Sequence, residues 1–110
     1  MIHADPSSSR ADRMRSILTQ AFAPTVLAIQ DDSHHHAGHA GARPGGQTHY
    51  SVLIVSPAFE GVNRVARSRA VHAALHDEFG EKDAGGLHAL ALTLRTPAEQ
   101  VMAEQAAGRR

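Results

Sequence analysis

The 110-residue chain contains no cysteine and no tryptophan. Without thiols it forms no disulfide, offers no thiolate nucleophile and completes no cysteine-based zinc or iron–sulfur motif by itself. A soft metal centre on this chain therefore needs sulfur from another molecule. Aromatic rings are scarce: three phenylalanines and one tyrosine. Phe22, Phe59 and Phe79 fall at core-like apolar positions, so stacking on single-stranded nucleic acid has little support. Net charge is also absent, eleven Lys plus Arg balancing eleven Asp plus Glu, which removes the positive field of a dedicated nucleic-acid binder. No apolar run approaches the roughly 18 residues of a membrane span. The opening MIHADPSSSR has neither the apolar stretch nor the cleavage site of a secretory signal. The expectation is one compact cytoplasmic domain with no membrane role.

What the chain has in excess is histidine, nine in all. His34, His35, His36 and His39 crowd into six positions, and His49 follows ten further on. Imidazole is the commonest metal ligand and titrates near neutral pH, so such enrichment has a chemical reading beside the plain one of a solvated polar loop.

Periodicity gives the order of elements. After a frayed start, Ser7 to Ser9 offer capping oxygens, and Met14, Ile17, Leu18, Ala21 and Phe22 form one apolar helical stripe that Pro24 ends. Residues 25–30 (TVLAIQ) predict a first strand, closed by turn-forming Asp31-Asp32-Ser33. The following HHHAGHAGARPGGQ is rich in glycine and predicts a long exposed loop. Residues 48–56 (THYSVLIVS) predict a second strand, buried on both faces at its far end, with Pro57 as its stop. Residues 62–79 predict one long helix, with Val71, Leu75 and Phe79 on its buried face and Arg64, Arg67 and Arg69 turned to another. Residues 80–86 (GEKDAGG) break the chain again. Residues 88–95 (HALALTLR) alternate as a third strand that puts His88 on the face of Leu90, Leu92 and Leu94. Thr96-Pro97 opens a last helix. The fold class is α+β, in the order α-β-β-α-β-α.

Three segments in series carry a resemblance. They are Asp31-Asp32-Ser33-His34-His35-His36; Thr48-His49-Tyr50 through Val55-Ser56-Pro57-Ala58-Phe59-Glu60-Gly61 to Arg67-Ser68-Arg69-Ala70-Val71-His72; and Leu87-His88-Ala89-Leu90-Ala91-Leu92 closing with Thr96-Pro97-Ala98-Glu99. Together they resemble the BolA family over about residues 10–100, leaving 1–9 as a flexible N-terminus and 101–110 as the end of the C-terminal helix and a tail. The resemblance implies a class II KH-like fold, a three-stranded sheet backed by helices. It also implies work as a partner of monothiol glutaredoxins in iron–sulfur trafficking or iron sensing, the chain being a monomer alone and a heterodimer with that partner. The family's metal-binding positions map onto His36, or its neighbour His39, and onto His88. Where the family usually reads Arg-His-Arg, this chain has Arg67-Ser68-Arg69.

On that reading a [2Fe–2S] cluster is shared, the glutaredoxin side supplying a cysteine and bound glutathione and this chain two imidazoles. Replacement of two thiolates on one iron by imidazoles is established in Rieske-type centres. His49 reads as structural or orienting, and His72 and His76 as surface residues, since no HExxH pattern accompanies their spacing. The alternative is a DNA-binding regulator making a weak contact through Asn63, Arg64, Arg67 and Arg69. Catalysis is not expected: the Asp31-Asp32-Ser33 cluster and adjacent histidines are sequence neighbours, which seldom form a catalytic geometry, and no oxyanion site is evident.

Overall fold

A computed structural model describes residues 9–32, 49–79 and 89–108. The predicted loop after Ser33, the break at 80–86 and the histidines at 34, 35, 36, 39 and 88 lie outside the described residues.

Helix α1 spans Arg10–Phe22, with Ser9 as N-cap accepting from Asp12 N. Its spacing of apolar residues buries Met14 and Leu18 completely. It ends at Ala23, whose left-handed φ of 45° lets its N–H reach Thr19 O before Pro24 prevents continuation. Strand β1 follows at Val26–Asp31, one residue further than expected because Asp31 pairs with Tyr50 of β2 (His49–Val55). A 3₁₀ turn at Pro57–Phe59 is capped by Ser56, which accepts from Ala58 N and donates to Phe22 O. Strand β3, Ala89–Arg95, and helix α4, Pro97–Ala107, complete the chain. Thr96 and Glu99 close a capping box at the start of α4, satisfying two of the donors that every helix N-terminus leaves open.

The expected helix over 62–79 is two helices, α2 at Arg64–Ala74 and α3 at His76–Phe79. Leu75, at φ −96° and ψ 13°, turns the chain between them while keeping its own N–H on Val71 O. Past the turn, Glu78 accepts from Arg10 Nε and Arg13 Nε, each at 3.0 Å, which ties α3 to α1.

The sheet order is β1-β2-β3, with β1 antiparallel and β3 parallel to central β2. Alternation sorts the strands into two faces. Leu27, Ile54 and Leu94 share one register row, and Ile29, Val52 and Leu92 another; these residues join Met14, Leu18, Phe59, Val71 and Leu75 in the core beneath the helices. The other face carries Ala28, Leu53 and Thr93, then Gln30, Ser51 and Ala91. Val55 is buried from that side too, as its apolar run predicted. Each fully buried Leu, Ile, Val, Phe or Met contributes about 1.5–3 kcal/mol. A mixed three-stranded sheet with helices on one face is an α+β, class II KH-like architecture.

Candidate functional site

One end of the sheet gathers the chain segments that bear the candidate ligands. β1 ends there at Asp31, β2 begins there at His49 and β3 begins there at Ala89. Asp32 N donates to His49 O at 2.7 Å, and Ser51 Oγ donates to Asp32 Oδ2. These bonds join the two ends of the segment 33–48, which carries His36 and His39. Ala89, in register with His49, is the covalent neighbour of His88. Two strand spacings, about 10 Å, separate the β1 and β3 positions at this end.

The floor of this end is polar but buried. Tyr50, in register with Asp31 and Leu90, points into the helix-covered face and is 2% exposed. Burial, reinforced by the charge of Asp31, pushes its hydroxyl up to about 12. Burial also pushes the Glu78 carboxyl up, but hydrogen bonds from Arg13 and Arg10 prevail and hold it below the usual carboxylate range. The Arg13 guanidinium is raised in turn, first by its bond to Glu78. Arg10, Arg13 and Glu78 thus fix the helix end from which segment 80–88 departs, while β3 fixes where it arrives.

Among the described residues no group of three or more histidine, cysteine, aspartate or glutamate side chains could hold a metal ion. The chain offers imidazoles and carboxylates and no thiolate. That donor set fits half of a [2Fe–2S] ligand shell and not a whole one. His36, His39 and His88 lie outside the described residues. His49 is half-buried at the start of β2, and His72 and His76 are exposed on the helices, as expected.

The expected basic face fares unevenly. Arg64 and Arg69 are exposed. Asn63 is the N-cap of α2, its Oδ1 accepting from Ala66 N. Arg67 is not on the surface: it is 7% exposed. Its Nε donates to Val62 O at 2.7 Å, Nη1 to Leu94 O at 3.2 Å and to Glu99 Oε1 at 2.6 Å, and Nη2 to Glu99 Oε2 at 3.2 Å. The guanidinium also lies 5.7 Å from the Phe59 ring centroid. Four of its five N–H groups are committed inside the molecule, so Arg67 locks α2, β3 and α4 together. The sequence offered a faint signal, since Glu99 belongs to the Thr96-Pro97-Ala98-Glu99 segment and is an acid awaiting a partner. The Arg67 bond, then the Thr96 N–H, hold the Glu99 carboxyl down to about 2.

Comparison with known proteins agrees with this architecture. The family model described as BolA-like protein matches residues 18–99, and the chain belongs to that family. It is 45% identical over 93 residues to the chloroplastic protein BOLA1 of Arabidopsis thaliana, covering 83% of this chain and 56% of that protein. It is 44% identical over 86 residues to human BolA-like protein 1, covering 78% and 57%. The chain thus spans little more than half the length of these two relatives. Among solved structures, BolA1 from Arabidopsis thaliana superposes with a TM-score of 0.69 at 42% identity, covering 84% of this chain and 96% of that one. The BolA domain of SufE1 from the same plant gives 0.68 at 39% identity, with coverage of 84% and 96%.

Proposed function

We propose that this chain is a non-catalytic adaptor that shares a [2Fe–2S] cluster with a monothiol glutaredoxin, in iron–sulfur trafficking or in iron and redox sensing. The observation that carries the reading is the convergence at one sheet end: both histidine-bearing segments, 33–48 and 80–88, are anchored where β1 ends and where β2 and β3 begin. The missing cysteine supports it, because a chain without a thiolate needs a thiol-bearing partner to complete such a cluster. The likeness to a BolA domain carried within a SufE-like protein supports an iron–sulfur-related role. His88 supplies one imidazole and His36 or His39 the other, while the glutaredoxin supplies its cysteine and glutathione. When bound, the cluster supplies one-electron redox chemistry and a group that passes between proteins. The residues of this chain hold the anchoring ends, through the Asp32–Ser51 bond and the Glu78 clamp.

The test is anaerobic mixing of the purified chain with a monothiol glutaredoxin, iron, sulfide and glutathione. A heterodimer forms whose visible spectrum differs from that of the glutaredoxin homodimer. His88→Ala abolishes the difference, and His36→Ala or His39→Ala identifies the second ligand. An unchanged spectrum with His88→Ala removes the ligand assignment.

A further inference from the structure

The opposite end of the sheet carries a surface that cluster sharing does not use. Among the described residues β3 is an edge strand, paired with β2 on one side only. Arg95 O faces β2 and accepts from Ser56 N at 2.9 Å, whereas Leu94 O faces away and accepts from Arg67 Nη1. By the alternation of a parallel ladder, the main-chain groups of Leu92 also face away from β2, and among the described residues no strand meets them. Edge strands are normally blunted by lysine, proline or an inward charge. The run ALALTL in β3 has none of these before Arg95.

Alongside this edge lies a groove of about 570 Å³ between α2 and α4, lined among others by Leu92, Leu94, Met102 and Ala103. Met102 is 68% exposed. The charged groups of the lining are Arg64, Arg67, Arg95 and Glu99. Glu99 is spent on Arg67, and Arg95 donates to the neutral Gln100 side chain. Two positive charges, on Arg64 and Arg95, therefore have no ion-pair partner among the described residues.

The geometry points to the β3 edge as a docking site for an extended segment of a partner protein in which acidic and apolar side chains alternate. The segment pairs its main chain with Leu92, lays its apolar side chains against Leu94 and Met102, and turns its carboxylates toward Arg64 and Arg95. Arg67 caps Leu94 O and so stops the added ladder there, which keeps the docked stretch short. Nucleic acid suits the groove less well: no aromatic side chain lines it, and Phe59 and Tyr50 are buried, leaving no ring there on which to stack a base. This inference is independent of cluster sharing, which uses the other end of the sheet.

The test uses the full chain labelled with ¹⁵N. A blocked hexapeptide alternating glutamate and valine is titrated in, beside the same peptide with lysine for glutamate and beside an oligothymidine strand. The acidic peptide shifts the amides of residues 92–95 and Met102 and saturates, whereas the lysine peptide binds about tenfold more weakly. Arg64→Glu and Met102→Glu, each with an unchanged melting temperature, weaken acidic-peptide binding by about tenfold or more. Absence of shifts along β3 at millimolar acidic peptide, equal binding of the two peptides, or edge shifts with the oligonucleotide alone would each overturn the proposal.

Discussion

Arg67 combines four hydrogen bonds, two of them to one carboxylate, with an aromatic face in one nearly buried side chain. Arg67→Ala strips Val62 O and Leu94 O of their donor as well as removing the ion pair. It is expected to cost about 2–3 kcal/mol, read as a lower chemical-denaturation midpoint. Arg67→Lys recovers only part of this loss, because an ammonium cannot reproduce the planar fork. The partner sets a pH signature. Glu99 sits at about 2 in the folded chain against an ordinary carboxyl value of 4.5, so its contribution is fully present above pH 4.5 and fades as pH falls toward 2. The denaturation midpoint of Glu99→Gln should thus fall below that of wild type at neutral pH and converge with it by about pH 2. A gap that persists undiminished in acid would show that the carboxylate charge is not what matters. None of this was legible in Arg67-Ser68-Arg69 alone. An arginine at helical spacing reads as surface, and its acid lies 32 residues along the chain.

Elements followed the sequence where the instruction is local and departed from it where the cause is distant. Pro24, Pro57 and Thr96-Pro97 end or start elements at their expected places because proline acts on its own backbone. The core faces of β2 and β3 follow from period-two alternation. The α2–α3 turn was not readable, since Val71 and Leu75 continue a helical stripe; the bonds from Arg10 and Arg13 to Glu78 operate across more than 60 residues. For the candidate site, sequence supplied the histidines and the missing thiol, while the common anchoring of their two segments depends on parallel β2–β3 pairing, which no local pattern declares. The end of α1 offers a test at this scale. Ala23 takes φ 45°, a left-handed conformation that costs a residue with a Cβ about 1 kcal/mol. Ala23→Gly removes that strain at the price of a looser unfolded chain, so we expect a net gain of a few tenths of a kcal/mol up to about 1 kcal/mol. A lower melting temperature for this variant would mean that the Ala23 methyl makes packing contacts outweighing the strain.

At the scale of the whole molecule the sheet separates the two proposed sites. β2 and β3 run in parallel from the histidine end, at His49 and Ala89, to the Arg67 end, at Val55 and Arg95. A seven-residue strand spans about 23 Å, so a substitution at one end reaches the other only by unfolding the chain. Arg67→Ala and Met102→Glu, held well below their melting temperatures, should therefore still give the heterodimer spectrum with glutaredoxin. Arg67→Ala does so despite its lower denaturation midpoint. His88→Ala should lose that spectrum and still bind the acidic peptide at the β3 edge. The comparison needs three readouts on each variant: the midpoint, the visible spectrum and the ¹⁵N shifts along β3. Loss of the spectrum in a folded Arg67→Ala chain would mean that the two ends are coupled through β3, and that the Arg67 lock helps set the position of the end where β2 and β3 begin.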